Sequence, residues 1–229
     1  MKTLTLVIAA LLVLALSGCA ALSPLVEAIG SVGDSSDTDG GQAQADGVLF
    51  QDDFSDPDSG WDRSAFEGGE TDYYQDGYRI MVANEFAYVW ANPYQDFTDV
   101  SVTVEAVKIG GADDNEFGII CRNPDLENFY VAVISSDGFY GFLKRVDGGT
   151  PELLNMENMP PSDAINQGTE SNTIRLDCVG DTLTLYVNGV MVASTTDSAL
   201  ASGDVGLYSG SFSVPGTDIL FDNFVVRQP

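Results

Sequence analysis

From Val48 to the C-terminus, short segments rich in β-branched and aromatic residues alternate with turn residues, and none shows a convincing helical period of apolar positions. Dipeptides such as Asn188-Gly189 and Gly180-Asp181 supply the positive φ angles of tight hairpins. So many consecutive hairpins predict an all-β domain made of two packed antiparallel sheets. The predicted strands, about twelve, are Val48–Phe54, Tyr78–Val82, Tyr88–Ala91, Val100–Val107, Glu116–Arg122, Phe129–Ser135, Phe139–Val146, Thr173–Val179, Thr182–Val187, Val190–Thr195, Gly203–Tyr208 and Ile219–Arg227.

One long interval departs from this spacing. Thr150 to Asn172 is polar and contains Pro160-Pro161. Because proline lacks a backbone N–H and cannot sit inside a sheet, we predict a loop here, with at most one helical turn near Ala164.

The N-terminus carries a different pattern. Lys2 is followed by an apolar stretch from Leu4 to Leu16, and Leu16-Ser17-Gly18-Cys19 closes it. This order resembles a bacterial lipoprotein signal, in which the cysteine is lipidated and the chain is cleaved before it. We therefore expect a signal peptide over residues 1–18 and a lipid on Cys19 that anchors the protein in the bacterial cell envelope, on the extracytoplasmic side of a membrane. The alternative is a plain secretory signal with an accidental cysteine.

Residues 19–47 contain no aromatic side chain, and from Asp34 onward they are almost all small or polar. Such a segment buries too little apolar surface to offset the entropy lost on ordering. We expect a lipidated flexible tether over 19–47 and one folded domain over 48–229.

The remaining cysteines, Cys121 and Cys178, fall on the apolar side of their predicted strands. The residues that share these two inward faces are Phe117, Ile119, Cys121, Ile174, Leu176 and Cys178. In an exported protein two buried cysteines most often pair, so we predict a Cys121–Cys178 disulfide. The alternative is two free thiols in the core.

Composition narrows the chemistry further. The chain has 35 acidic and 9 basic residues, a formal net charge of −26, and no histidine. A chain this acidic is repelled by phosphate backbones, which argues against nucleic-acid binding. The missing imidazole excludes Ser-His-Asp and Cys-His catalysis and histidine-ligated zinc. Carboxylates remain as the main candidates for chemistry or metal binding.

The order of several motifs resembles the concanavalin A-like lectin/glucanase superfamily, and within it the laminin-G-like modules and the 3-keto-disaccharide hydrolase domains. The resemblance covers residues 48–227 and implies a jelly-roll sandwich whose last strand returns beside the first. The motifs that carry it are Phe50-Gln-Asp-Asp-Phe-Ser55, Gly60-Trp61, Tyr88-Val-Trp-Ala-Asn92, Glu116-Phe-Gly-Ile-Ile-Cys-Arg122, Phe129-Tyr-Val-Ala-Val133, Gly138-Phe-Tyr-Gly-Phe142, Leu185-Tyr-Val-Asn-Gly-Val190 and Ile219-Leu-Phe-Asp-Asn-Phe-Val-Val226.

The resemblance places a ligand on the concave sheet and implies a carbohydrate partner, such as a glycan or cell-wall polymer. Aromatic faces stack on sugar rings, and charged side chains bond vicinal hydroxyls. In the alternative, the aromatic residues close the core and Glu116 forms a surface ion pair with Arg122. The expected ligand-binding residues are Tyr88, Trp90, Glu116, Arg122, Tyr130 and Tyr140.

Catalysis receives less support. The family-16 glucanase branch of this superfamily carries a Glu-x-Asp-x-x-Glu strand, and no such hexapeptide occurs here. Glu67 and Glu70 are expected in a Gly-rich loop, and no catalytic residue is assigned. We expect a carbohydrate-binding module, with a structural or protein-interaction domain as the alternative and a glycoside hydrolase as the less favoured one.

The resemblance also implies a structural calcium ion where the first and last strands meet. Asp53 and Asp222 lie at those strands and are the expected side-chain ligands. The alternative is that both are exposed residues or make turn hydrogen bonds.

Overall fold

The computed structural model describes residues 47–229, in which fifteen strands and no helix occur. The signal peptide, the tether and Cys19 lie outside the described residues. Within them, no helix is long and apolar enough to cross a membrane. The strands are β1 (Val48–Asp52), β2 (Ser64–Phe66), β3 (Gly69–Tyr74), β4 (Gly77–Val82), β5 (Ala87–Ala91), β6 (Val100–Gly110), β7 (Asn115–Asp125), β8 (Asn128–Ile134), β9 (Tyr140–Arg145), β10 (Glu152–Leu153), β11 (Asn172–Val179), β12 (Thr182–Val187), β13 (Val190–Thr196), β14 (Asp204–Ser211) and β15 (Thr217–Arg227).

The strands form two antiparallel sheets. The nine-stranded sheet has the order β13-β12-β11-β6-β15-β4-β3-β2, and β1 pairs with β15. The six-stranded sheet has the order β10-β9-β8-β7-β14-β5. The predicted all-β sandwich is confirmed, and so is the return of the last strand beside the first.

The main core lies between the two sheets and follows the alternation of the strands. Phe117 and Ile119 on β7 face Ile174 and Leu176 on β11, and all four are buried. Cys121 and Cys178 extend the same two rows and form a disulfide, with Cα atoms 6.8 Å apart. The predicted disulfide is therefore confirmed, and it ties one sheet to the other.

Three strands were absent from the prediction. In β3 the inward positions begin with Gly69 and Thr71, so the hydrophobic alternation that marks the other strands is missing. Glu70 consequently lies within a strand and not in a loop. Short β2 pairs with β3, and β10 is a two-residue strand against β9.

The segment from Thr150 to Asn172 contains no helical turn. It runs along the edge of the six-stranded sheet, where the backbone N–H of Tyr140 donates to the carbonyl of Pro160. Proline offers only this carbonyl, which explains why the part of the segment around Pro160 lies beside β9 without forming a regular strand as β10 does.

Candidate functional site

A second apolar cluster lies on the outer face of the six-stranded sheet, on the side away from the main core. Four aromatic rings dominate it, and we call them the aromatic platform: Tyr88 and Trp90 on β5, Tyr208 on β14 and Phe129 on β8. Tyr88 stacks on Trp90 with ring centroids 5.9 Å apart, and on Tyr208 at 5.8 Å. Tyr208 and Phe129 are buried, whereas Tyr88 and Trp90 keep part of their surface open to solvent.

The platform reaches across the sheet. Trp90 and Phe129 have ring centroids 5.7 Å apart although three strand steps separate β5 from β8. Neighbouring strands lie about 4.8 Å apart, so both rings must lean over the strands between them. Gly118 on β7 pairs with Tyr208, and an added Cβ there would lie 1.9 Å from the backbone carbonyl oxygen of Ala132 on β8, so only glycine fits.

Arg145, at the end of β9, covers the platform. It pairs with Phe129 across the strands, and its guanidinium carbon lies 4.9 Å from the Trp90 ring centroid and 5.8 Å from that of Tyr88. Its Nη2 donates to the carbonyl of Gly148. Its Nε and Nη1 are buried with no hydrogen-bond partner in the described part of the chain, so attraction to the rings adds to the hydrogen bond from Nη2 in holding this cation.

Glu116 lies at the other side of the platform. Its side chain passes over Gly210 of β14, where an added Cβ would come within 2.7 Å of Oε1. The Tyr208 hydroxyl donates to Glu116 Oε1 at 2.7 Å. Burial raises the pKa of the Glu116 carboxyl, an effect that the hydrogen bond from Tyr208 opposes. Burial and the adjacent carboxylate raise the pKa of Tyr208 well above its usual range.

Two hollows flank Tyr88. The Glu116 hollow, of about 290 Å³, is walled by Phe86, Tyr88, Leu143, Leu153, Met159, Tyr208, Phe212 and neighbouring residues. The Asp62 hollow, of about 250 Å³, is bordered by Asp62, Ser64, Phe66, Tyr88, Val89, Trp90 and Leu126. Each hollow is lined by a single carboxylate.

The Asp62 carboxylate already has partners in the chain. It accepts a hydrogen bond from the backbone N–H of Asn92 at 3.0 Å, and a second from the hydroxyl of Tyr94. Glu116 therefore has more free hydrogen-bonding capacity than Asp62.

Of the six expected ligand-binding residues, Tyr88, Trp90 and Glu116 meet at this face and three lie elsewhere. Tyr130 and Tyr140 pack against the main core, on the opposite side of the sheet. The outward residue of β8 is Phe129. The stretch from Phe129 to Val133 is apolar at every position, because both faces of the strand are covered, so no polar alternation revealed which side faces out.

Arg122 also lies away from the platform. It is buried, its backbone is in the left-handed region at φ 53°, and β7 is irregular between Cys121 and Asp125. Its Nη1 donates to the carbonyl of Leu200 at 3.0 Å and its Nη2 lies 3.3 Å from Asp99. The bulge breaks the alternation that placed Arg122 beside Glu116, and the alternative of a Glu116–Arg122 ion pair is also not observed.

Sequence reasoning missed Arg145, Tyr208 and Phe129. Tyr208 and Arg145 each end a predicted strand or stand next to its end, where parity is hardest to assign. The one available signal was Tyr208 in a segment otherwise made of small and aliphatic residues.

The expected calcium ligands lie at the junction of β1 and β15. The Asp53 carboxylate accepts hydrogen bonds from Ser55 N–H and Oγ, which lower its pKa. Burial raises the pKa of Asp222, and the nearby acids Glu105, Asp53 and Asp76 add to this. A cavity of about 320 Å³ at this junction is lined by Asp53 and Asn223 but not by Asp222.

The structure contains no group of three or more acidic or cysteine side chains spaced to hold a metal within residues 47–229. The Asp53 carboxylate and the Asn223 amide oxygen at this cavity suit calcium, which takes further oxygen ligands from backbone and water. Calcium therefore stays a prediction.

Comparison with known proteins gives a family and a fold. A model of the 3-keto-alpha-glucoside-1,2-lyase-like domain matches residues 47–227. A search of curated proteins found no match.

Among solved structures, the chain is similar to the carbohydrate-binding module CBM66 from Bacillus subtilis, with 16% identity, a TM-score of 0.59 and coverage of 74% of this chain and 96% of that one. It is also similar to a Bacillus subtilis protein of unknown function with a galectin-like fold, at 12% identity, a TM-score of 0.57 and coverage of 80% and 96%. The CBM2 module of the evolved Dit of Lactobacillus casei BL23 phage J-1 matches at 13% identity, a TM-score of 0.50 and coverage of 79% and 94%. At these identities the likeness shows the fold alone.

Proposed function

Because the chain belongs to the 3-keto-alpha-glucoside-1,2-lyase-like domain family, we propose that it binds carbohydrate on the aromatic platform. The observation that carries the proposal is the half-buried, stacked pair of Tyr88 and Trp90, flanked by two hollows, with Glu116 at one side and Arg145 over the rings. The likeness in fold to a carbohydrate-binding module supports it.

The chemistry of the platform suits a sugar. The C–H groups of a pyranose pack against aromatic faces, and rings held by their neighbours lose little entropy on binding. Glu116 can accept hydrogen bonds from hydroxyl groups, and bonds to a charged group are stronger than neutral ones. Binding sites of this kind combine a mostly apolar wall with a few fixed polar groups.

At the platform itself, the number of carboxylates favours binding over hydrolysis. Glycosidases use two carboxyl groups about 5 to 10 Å apart. Here each of the two hollows beside Tyr88 is lined by one, and the chain has no histidine to supply another acid or base. A neighbouring cavity of about 410 Å³ shares Asp62 and is also lined by Asp125 and Asp204, but none of the platform rings lines it.

A second candidate is cleavage of an oxidised glucoside, as the name of the family suggests. The observation that favours it is the raised pKa of Glu116 beside an open hollow, because a general acid or base works best when its pKa approaches the working pH. Incubation of the protein with a 3-keto-glucoside should then release the aglycone, and Glu116→Gln should abolish the release. If the wild-type protein releases no more aglycone than Glu116→Gln does, this candidate is ruled out.

A glycan and cell-wall-polymer array probed with the full chain in detergent tests the binding function. Trp90→Ala and Tyr88→Ala should each lower the signal for the bound glycan by about tenfold or more, because stacking contributes about 1 to 3 kcal/mol in comparable aromatic sites. Tyr74→Ala is the matched control, since Tyr74 is an exposed aromatic residue on β3 of the other sheet. Equal loss in all three variants, or no bound glycan at all, would contradict the proposal.

We further propose that the protein is held at the cell envelope by lipid on Cys19. The support is the order Leu16-Ser17-Gly18-Cys19 after an apolar stretch. Two or three acyl chains would anchor the protein durably. Cys19→Ser should release it into the soluble fraction, and retention of this variant in a salt-washed membrane pellet would rule out the lipid anchor.

A further inference from the structure

The Glu116 hollow combines one carboxylate with walls that are otherwise aromatic and aliphatic. Its volume is about 290 Å³. Tyr88 forms the border between this hollow and the rest of the platform, so a sugar stacked on Tyr88 would present one substituent to the hollow. The walls nearest to the carboxylate are Phe86, Tyr88, Leu153, Met159, Tyr208 and Phe212.

The charge of Glu116 is not balanced within the described residues. Its one hydrogen-bond partner there is the neutral hydroxyl of Tyr208, and no lysine or arginine of residues 47–229 forms an ion pair with it. A carboxylate held against apolar walls without a counter-ion is costly, and the raised pKa of Glu116 is consistent with that cost. A cation entering the hollow would offset it.

The platform already holds a cation of its own. The Arg145 guanidinium lies within 4.9 to 5.9 Å of the ring centroids of Trp90, Tyr88 and Phe129. Two of its nitrogens have no other hydrogen-bond partner among the described residues. The rings therefore present electron-rich faces to positive charge on one side, and Tyr88 continues this surface toward Glu116.

The charge of the whole chain acts in the same direction. With 35 acidic and 9 basic residues, the surface attracts cations and repels anionic polymers such as uronate or phosphate chains. This long-range field favours a positively charged polysaccharide over a neutral or acidic one.

We propose that the sugar bound on the platform carries a free ammonium group, as in a polymer of glucosamine, and that this group lies in the Glu116 hollow. The inference rests on the proposed carbohydrate-binding function. The ammonium group donates to Glu116 while the faces of Tyr88 and Tyr208 flank it, and the sugar ring stacks on Tyr88 and Trp90. N-acetylation removes the positive charge and with it the ion pair.

Two hexasaccharides that differ only in this group provide the test: the glucosamine hexamer and the N-acetylglucosamine hexamer. Their affinities for the full chain are measured by calorimetry at about pH 6 and low salt. The glucosamine hexamer should bind at least about tenfold more tightly, and its affinity should fall as salt is added. Glu116→Gln should erase the preference, since it removes the charge and retains a hydrogen-bond acceptor for Tyr208.

Glu105→Gln is the matched control. Glu105 is exposed on β6 of the other sheet, so this variant changes the net charge equally without touching the hollow, and the preference should survive. Equal binding of the two hexamers, or a preference that persists in Glu116→Gln, would overturn the inference. If neither hexamer binds while other glycans bind in a Trp90-dependent way, the inference fails and the proposed function stands. If no glycan binds, both fail.

Discussion

At the scale of single residues, the site depends on small residues that make room for large ones. Gly210 on β14 pairs with Tyr88 on one neighbouring strand and with Glu116 on the other, and the Glu116 side chain lies across it. Tyr208, two residues earlier on the same face, fixes the carboxylate through its hydroxyl. The sequence pointed to Tyr88, Trp90 and Glu116, because they stand in clear strands. It could not indicate Arg145, whose position depends on rings from strands far away in the sheet.

Gly210→Ala should therefore impair binding without unfolding the protein. The added Cβ would lie 2.7 Å from Glu116 Oε1 and 2.8 Å from its Cγ, and the flexible carboxylate would swing away. We expect the affinity for the bound glycan to fall by about tenfold while the free energy of unfolding changes by less than about 1 kcal/mol. Gly110→Ala, at the end of β6 on the other sheet, is the control. Unchanged affinity in Gly210→Ala would show that the placement of Glu116 does not matter for binding.

Asp204 should make stability depend on pH. Burial raises its pKa from the usual 3.8 to about 6, despite hydrogen bonds from the backbone N–H groups of Gln95 and Val205. Because the folded state disfavours the charged form, the free energy of unfolding should decrease as the pH rises from about 4 through about 6. Asp204→Asn keeps the acceptor oxygen and removes the charge.

We expect Asp204→Asn to be more stable than the wild type by about 1–2 kcal/mol at pH 8, with the difference vanishing near pH 4, in denaturant titrations. The exposed Asp114 provides a control substitution, Asp114→Asn. A wild-type protein that gains stability between pH 4 and pH 8 relative to Asp204→Asn would contradict the assignment.

At the scale of strands, the alternation of apolar and polar residues predicted most of the sheet structure. It failed in strands where that alternation is absent or interrupted. β7 and β11 were assigned correctly because large apolar residues occupy every second position. β8 gave no parity signal because apolar residues cover both its faces, one toward the core and one toward the platform. β3 was missed because glycine and threonine take its inward positions, and Arg122 was misplaced by a bulge.

The junction of β1 and β15 carries the calcium prediction. A bound ion would lower the raised pKa of Asp222 and would stabilise only the folded state. At a hundredfold excess over its dissociation constant, calcium adds about 2.7 kcal/mol, which raises the melting midpoint by several degrees. Asp53→Asn and Asp222→Asn should each abolish this shift, and Asp114→Asn should retain it. Coincident melting curves of the wild type with calcium and with chelator would contradict the calcium prediction.

At the scale of the whole molecule, two sheets are tied together by one covalent link and surrounded by negative charge. The fold class and the disulfide were predicted from the order of strands and from buried positions, and the pairing of the terminal strands was implied by the resemblance to concanavalin A-like domains. The convergence of four aromatic rings on one outer face depends on how far side chains lean across neighbouring strands, and no local pattern encodes that.

The disulfide should contribute substantially to stability. It closes a loop of 57 residues between the sheets. Replacing both Cys121 and Cys178 with alanine should lower the free energy of unfolding by about 2–4 kcal/mol, through the entropy of the unfolded chain and the lost sulfur contacts in the core. Thiol titration of the denatured, unreduced chain should detect no reactive thiol at either position. Two reactive thiols there, or a double variant as stable as the wild type, would contradict this role.

The central claim, that carbohydrate binds on the aromatic platform, can be tested within one molecule because the chain has just two tryptophans. Trp90 lies on the platform, whereas Trp61 is buried in the main core and its Nε1 donates to Asp52 at 2.9 Å. Fluorine NMR of the chain labelled with 5-fluorotryptophan, with Trp90→Phe to assign the signals, follows both sites during titration with the glycan that binds. We predict that the Trp90 signal shifts with the binding isotherm and that the Trp61 signal does not move. Saturating glycan that leaves the Trp90 signal unchanged would contradict the account.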